Sequence, residues 1–308
     1  MPHRIELIAL GTGATLPTPE RLMPSFLVKD SLGLRVLLDA GEGVQVRMSQ
    51  AEVSPLAIDL IAITHEHGDH VNGLPGLLQS MQVNRREERL KVIAPPSITE
   101  ALERAELGFP IEAVRLSGRG ELLLREQSGD KVTIRWFPVC HTVEAYGFSL
   151  EWSFRPRVDA EKLSSLGLKP GAWLKKLFEE GRVRAGEVEV ALEEVAESRG
   201  GQVKVTYTGD TAPCRSVVEE GRGARVLIHD STFSSELAEE ARERGHSTSE
   251  QAAEIAREAQ AELLVLTHVS SRYRGPEERR LLLEARGVFR RTVLARDLMK
   301  LILSNHKL

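Results

Sequence analysis

The sequence predicts an α/β fold whose functional site lies where its strands end. Three observations carry that prediction. Helical stretches alternate with short apolar, β-branched runs in both halves of the chain, candidate metal ligands recur where those runs stop, and no short repeat or low-complexity tract interrupts the pattern. The 308 residues are enough for one large domain or two ordinary ones. A formal net charge of -4 gives no global basic bias towards nucleic acid, although a local patch can do that work. No run approaches about eighteen apolar residues, and the start MPHRIELIAL lacks the long apolar region of a signal peptide. Two cysteines, Cys140 and Cys214, do not make a disulfide framework, so a cytoplasmic protein is the simplest expectation.

Each element has its own signal. Arg4 to Leu10 alternates and then turns apolar, which reads as a strand broken by Gly11-Thr12-Gly13, and prolines make Leu16 to Met23 a loop. Strands follow at Ser25 to Lys29 and Leu34 to Leu38, the second ending in Asp39-Ala40-Gly41-Glu42-Gly43. Asp39 is placed either to support metal-ligating histidines or to cap the helix expected over Val44 to Gln50. Asp59 to Ile63 is a buried strand, and Gly73 to Met81 a turn leading into a helix. Lys91 to Ala94 is a strand, and Ser97 with Glu100 is a capping box opening a helix to about Leu107. Strands near Val114 to Leu116, Glu121 to Arg125 and Lys131 to Pro138 complete a β-rich half, the last running into Val139-Cys140-His141. Further on, strands are expected at Val203 to Thr208, Arg225 to His229 and Glu262 to Leu266. They end at Gly209-Asp210-Thr211, Asp230-Ser231-Thr232-Phe233 and Thr267-His268. Helices are expected over Glu236 to Arg244, from a Thr248/Gln251 capping box to Ala259, and from Pro276 to Arg286. The tail Arg291 to Leu303 is mostly strand, broken near Asp297.

The densest chemistry is Thr64-His65-Glu66-His67-Gly68-Asp69-His70, at the end of the Asp59 to Ile63 strand. His65 and His67 sit two apart, so in extended backbone their rings converge on one side, while Asp69 and His70 face a second point close by. Neutral imidazole and carboxylate are the donors a borderline divalent ion such as zinc prefers. A His-rich surface loop is the bland reading, and a strand-end position argues against it. His141, Asp210 and His268 each follow a β-rich run in the same way, and together they supply what the first cluster lacks.

Charge singles out one more stretch. Residues 152–184 carry eight bases (Arg155, Arg157, Lys162, Lys169, Lys175, Lys176, Arg182, Arg184) against four acids, a local +4 on a chain of -4. The stretch does not read as sheet; it holds two short helical pieces split by Gly167-Leu168-Lys169-Pro170-Gly171, with Trp173 and Phe178 near the bases. A basic island on an acidic protein suits phosphate backbones, and the alternative is a solvated helical hairpin.

The cluster resembles the HxHxDH motif of the metallo-β-lactamase fold hydrolases. The likeness is closer still to ribonuclease Z, the endonuclease that trims precursor tRNA at its 3′ end. It rests on THEHGDHVNGLPGLL, DAGEGVQ, His141 with Gly147-Phe148, TGDT, HDSTF, GHST (Gly245 to Thr248) and LTHVSSRY, in order from Gly11 to Tyr273. The resemblance implies a four-layer αβ/βα sandwich in one domain over 1–308, with a protruding basic arm inserted at about 152–184 that grips tRNA, typically across a homodimer. It places His65, His67 and His141 on one Zn2+ and Asp69, His70 and His268 on a second, with Asp210 bridging; Mn2+ or Mg2+ are possible substitutes. Such a pair about 3.5 to 4 Å apart activates a water for in-line attack on a phosphodiester and leaves a 3′-hydroxyl on the tRNA. By the same resemblance Asp69 is also the proton acceptor for that water, His246 donates a proton to the leaving 3′ oxygen, and Asp230 orients His246.

Two positions depart from the family pattern. Asp230, in HDSTF, stands where the family commonly has Glu in HEATF, and the PxKxRN loop is here Pro17-Thr18-Pro19-Glu20-Arg21-Leu22, with Pro19 and Leu22 at the Lys and Asn positions. That loop is associated with sensing the tRNA 3′ end, so the cleavage position relative to CCA stays open. A small-molecule phosphodiesterase on the same site and a non-catalytic RNA-binding protein are the other readings; the basic arm is unnecessary for the first and an intact ligand set argues against the second.

Overall fold

The pleat of the first strand sets the plan of the molecule, whose computed structural model describes residues 4–198 and 200–304. Along Arg4–Gly11, Ile5, Leu7 and Ala9 face one way and Ile8 and Leu10 the other, and both sets are buried. A strand buried on both faces needs cover on both, and the molecule supplies it. Seven strands form one sheet, in the order Lys300–Ser304, Arg4–Gly11, Ser25–Asp30, Arg35–Leu38, Leu60–Ala62, Leu90–Ala94, Ile111–Arg115. Seven more form a second, in the order Thr292–Leu294, Leu264–Thr267, Val226–Asp230, Gly201–Tyr207, Tyr146–Phe154, Asp130–Pro138, Gly120–Gln127. The two inner faces meet in one core, where Phe26, Val36 and Leu60 share a cluster with Ile134, Phe148, Trp152, Val205 and Ile228. Helices Val44–Gln50, Leu74–Val83 and Pro96–Glu103 cover the outside of the first sheet, and Arg215–Glu220, Ser249–Glu258 and Pro276–Val288 that of the second. This is the expected four-layer αβ/βα sandwich.

Within each sheet one run of strands is parallel: Arg35–Leu38 through Ile111–Arg115 in the first, Gly201–Tyr207 through Thr292–Leu294 in the second. Parallel strands send all their C-terminal ends to one edge, and that edge is where ligands gather in open α/β sheets. No helix among the described residues is long and apolar enough to cross a membrane.

Three expectations and one omission need correction. Trp152 and Phe154 belong to the strand Tyr146–Phe154, a central strand paired on both sides; its Gly147, Ser149, Glu151 and Ser153 masked an inward face of Phe148, Leu150, Trp152 and Phe154. Ser97 and Glu100 form no capping box: Pro95 is the N-cap, the helix stops at Glu103, and the Ser97 hydroxyl donates instead to Glu66 at 2.7 Å. The helix expected from Glu236 begins as a 3-10 turn at Ser235–Leu237 and becomes α-helical at Ala238–Glu243. The helix Arg215–Glu220, too short for a clear period, went unread.

The basic stretch contains the two expected helices, Ala160–Ser165 and Trp173–Glu180, but Arg182–Ala185 then pairs with Val188–Ala191 as a hairpin. Leu163, Leu177, Val190 and Val195 close a small core of their own, and Arg157–Val158 pairs with Ala196–Ser198 at its base. Residues 185–198 add five glutamates and no Lys or Arg, and the four lysines on the helices and the turn between them are matched by four acids, so the excess positive charge of 152–184 rests on Arg155, Arg157, Arg182 and Arg184. Leu177→Ala removes the centre of this core and is expected to cost it about 2–5 kcal/mol. Hydrogen exchange over 157–198 will then quicken while exchange in the two sheets holds; uniform quickening would mean that this segment is not a separate folding unit.

Candidate metal centre and active site

The parallel strand ends carry the site. Asp39 follows Arg35–Leu38, His65 follows Leu60–Ala62, Asp210 follows Gly201–Tyr207, Asp230 ends Val226–Asp230, and His268 follows Leu264–Thr267. Asp39 and His268 both take left-handed backbone, φ 58° and 57°, which turns each chain sharply off its strand. Two glycine-dependent approaches close the loops over one another. A Cβ on Gly73 would lie 2.1 Å from the Gly41 carbonyl oxygen, and one on Gly209, itself at φ 59°, would lie 2.7 Å from Thr64. Only glycine lets the DAGEG loop and the helix start after His70 share that space.

All seven expected ligands converge. One set of donor atoms from His65, His67, His141 and Asp210, and another from Asp69, His70, Asp210 and His268, each lie within 4.8 Å of one another. Asp210 belongs to both, with Oδ1 at 3.2 Å from His70 Nε2 and 3.3 Å from His268 Nε2, and Oδ2 at 3.7 Å from His65 Nε2.

The outer ring nitrogens explain why the inner ones are available. His70 Nδ1–H donates to Asp39 Oδ2 at 2.7 Å, and His141 Nδ1–H to the Gly245 carbonyl at 2.8 Å. Thr64 spends its hydroxyl proton on Asp39, so at 3.0 Å it accepts from His65 Nδ1. Thr232 donates to Asp230 Oδ1 at 2.6 Å and so accepts from His268 Nδ1 at 2.7 Å. Each histidine is thereby fixed in the tautomer whose Nε2 lone pair points inward. His67 alone uses Nδ1, which lies 3.1 Å from His141 Nε2.

Three of the inward atoms, His65 Nε2, His70 Nε2 and Asp210 Oδ1, are buried with no hydrogen-bond partner. Buried polar atoms left unpaired are costly, and here they share one cavity with two carboxylates. A nitrogen and oxygen donor set of this kind fits borderline divalent cations. Electrostatics agree. Burial would discharge His70, but Asp210 and Asp39 hold it well above the usual histidine range. Burial, then the charge on His70, pushes His65 well below that range. Burial opposes ionisation of Asp69 and Asp210, yet the surrounding histidines keep both well below the ordinary carboxylate range.

His246 lies beside these two sets, in a third group with Asp210, Asp230 and His268 whose donor atoms also lie within 4.8 Å of one another. Its Nδ1–H donates to Asp230 Oδ2 at 2.8 Å, so the shorter aspartate reaches its partner. Burial lowers the His246 pKa, but the adjacent Asp230 carboxylate raises it to about 9, so the ring keeps its proton at neutral pH. Cys140 is exposed and outside both sets; partial burial of its thiol and the hydrogen bond it donates to Cys214 push it up to about 11. Asp39 caps no helix, since Gly43 is the N-cap of Val44–Gln50, and is wholly a support. The supports that the sequence reading missed are Thr64, Thr232 and Tyr207, whose hydroxyl donates to Asp39 at 2.7 Å. The first two stand next to read motif residues; Tyr207 reads only as the end of a strand.

Comparison with known proteins follows the geometry. Residues 193–269 match a family model described as a beta-lactamase superfamily domain, and residues 5–117 one described as anti-Pycsar protein Apyc1. A metallo-beta-lactamase fold protein of Bacillus subtilis superposes at a TM-score of 0.70 with 18% identity, covering 97% of this chain and 99% of that one. The short form of human tRNase Z superposes at 0.66 with 24% identity, covering 98% and 99%. Fold and ligand set together define a metal-binding protein of the metallo-β-lactamase fold. The ribonuclease Z of Aeropyrum pernix is 48% identical over 97% of this chain and 98% of its own, and that of Methanothermobacter thermautotrophicus 40% over 96% and 95%. The chain belongs to the ribonuclease Z family.

Asp39→Asn keeps the shape but removes the charge that orients His70. Metal affinity, measured by competition with a chromophoric chelator, is expected to fall about 10–100-fold. Unchanged affinity would show that Asp39 does not govern His70 as a ligand.

Proposed function

We propose that the protein is a zinc-dependent endoribonuclease that removes the 3′ trailer of precursor tRNA and leaves a 3′-hydroxyl. The observation that carries this reading is the pairing of an intact seven-residue ligand set with His246, held by Asp230 at 2.8 Å, beside it. His65, His67 and His141 would hold one Zn2+ and Asp69, His70 and His268 the other, with Asp210 between them. Two such ions supply charge neutralisation on the phosphodiester and lower the pKa of the attacking water.

The protein groups supply the rest. Asp69 Oδ2, 3.4 Å from His268 Nε2, faces the cavity as a carboxylate and takes the proton of the attacking water. As the bond from phosphorus to the 3′ oxygen breaks, the proton on His246 passes to that oxygen, which leaves as a hydroxyl. Asp230 holds His246 by Nδ1, so Nε2 is the nitrogen that carries the donated proton, and Asp230 also stabilises the charged ring.

The helical side of 157–198 serves in this reading as the arm of a single-domain protein. Lys175 and Lys176 are exposed, with side-chain accessibilities of 85% and 60%, and pair only weakly with Glu179 and Glu180 at 4.0 and 3.8 Å. Screened pairs of that length leave the ammonium groups available to phosphates. A self-contained arm suits a homodimer in which one subunit grips the tRNA cut by the other, and a cytoplasmic location follows from the substrate.

An end-labelled precursor tRNA with a 3′ trailer tests the activity. The wild type is expected to cut at or near the discriminator and Asp69→Ala to lose the cut; the nucleotide cleaved also shows what Pro19 and Leu22 do at the CCA boundary. No cut by a fully metallated wild type would favour a small phosphodiester substrate. His246→Ala is expected to retain its metal and lose turnover by about 10²-fold or more; unimpaired turnover would retire its role. The double change Lys175→Glu, Lys176→Glu is expected to weaken tRNA cleavage and spare bis(p-nitrophenyl) phosphate; equal loss on both would refute the arm.

A further inference from the structure

The cleft beside the candidate metal centre is lined by carboxylates, Glu42, Asp69, Asp210 and Glu243, and its lining contains a single Lys or Arg, Arg244. Two divalent ions would no more than balance those four charges. An RNA strand brings one further negative charge with each nucleotide, so the phosphate beside the one being cut enters a cleft whose surplus positive charge is at Arg244 and at His246, and the reading above commits His246 to the leaving oxygen. Resting on the precursor tRNA reading above, we propose that Arg244 is a positioning residue that seats the phosphate adjoining the scissile one.

The local structure is built to hold a cation there. Arg244 caps the helix Ala238–Glu243, and its backbone N–H donates to Glu240 at 3.1 Å. The next residue, Gly245, lies at φ 70°, and its carbonyl accepts from the ligand His141 at 2.8 Å; a Cβ there would lie 2.9 Å from the His141 ring. His246 follows. Arg244 is therefore one residue from a contact that fixes a metal ligand and two from the proposed acid, so its reach into the cleft is set by the same turn. Its Nε lies 3.2 Å from Glu240 Oε1, and its side chain is largely exposed. Glu240 also receives both Nη groups of Arg272 at 3.0 and 3.1 Å, so the cluster of two arginines and one carboxylate keeps a net positive charge. Arg272 is in turn seated 5.0 Å over the Phe233 ring. An exposed arginine that lines the cleft and is steadied at Nε has the planar fork that matches a phosphate's two oxygens.

The experiment compares wild type, Arg244→Ala and Arg244→Lys in steady-state cleavage of a precursor tRNA. Equilibrium binding of the same RNA to each is measured in a His246→Ala background that slows turnover. Arg244→Ala is expected to raise KM and Kd about tenfold with kcat within about threefold, as loss of a contact made equally in ground and transition states requires. The slope of log Kd against log salt is expected to fall by about one, the share of one phosphate contact, and Arg244→Lys to recover part of the affinity as a point charge. A fall in kcat with KM and Kd unchanged, or a salt slope equal to that of the wild type, would overturn the assignment. Failure of the wild type to cut precursor tRNA is a distinct result; it would overturn the functional reading and this assignment with it.

Discussion

A single buried carboxylate joins the two halves of the sandwich at the site. Asp39 accepts from the Thr64 N–H at 2.8 Å, from the Thr64 hydroxyl, from His70 Nδ1 at 2.7 Å and from the Tyr207 hydroxyl at 2.7 Å. Thr64 and His70 belong to the first sheet's edge, and Tyr207 ends a strand of the second. A carboxylate with no exposure is tolerable only when its lone pairs are all used, so its charge enforces the mutual placement of three chain segments. The left-handed backbone at Asp39 is held in place by those same bonds. Packing alone would leave the histidine rings free to turn; this carboxylate makes their orientation a condition of folding.

The second sheet repeats the device with a different outcome. Asp39, Thr64 and His65 form a chain in which a threonine hydroxyl passes on the orientation set by an aspartate, and Asp230, Thr232 and His268 form another. Both chains leave a histidine with Nδ1 protonated and Nε2 presented inward. The remaining oxygens differ in use. Asp39 Oδ2 goes to His70, a member of the ligand sets proposed for the metal, whereas Asp230 Oδ2 goes to His246, which those sets leave out. One architecture thus yields a supported ligand on one side and a charged, proton-bearing ring on the other.

The ligand types were legible in the sequence because coordination needs specific side chains at strand ends, and strand ends announce themselves by the switch from β-branched runs to glycine, as at Thr208-Gly209-Asp210. The supports were less legible. Thr64 and Thr232 read as ordinary β-prone residues, and Tyr207 is identified only once the second sheet is folded against the first. The strand Tyr146–Phe154 was hidden for a related reason: its outward positions carry Gly147, Ser149 and Glu151, so local composition reads as irregular until the pairing with both neighbours is known. Ser97 with Glu100 had the spacing of a capping box, but Pro95 and Pro96 had already fixed the helix start and Glu66 offered the hydroxyl a better acceptor. Local signals failed where a tertiary partner outcompeted them.

An acidic chain and a polyanionic substrate place opposite demands on the distribution of charge. Carboxylates concentrate in the cleft because divalent cations need them there, and this alone would repel RNA. Bases away from the metal cluster lie on the inserted segment: Lys162, Lys169, Lys175 and Lys176 on its helices and the turn between them, matched there by four acids, and Arg182 and Arg184 on the first strand of its hairpin, while the glutamates of 185–198 occupy the returning half. In the proposed reading, grip falls to the exposed bases of the inserted segment and chemistry to the cleft. Only at the mouth of the cleft do the two requirements meet, which is why a lone arginine there, steadied by a shared glutamate, carries more weight than its exposure alone would give it.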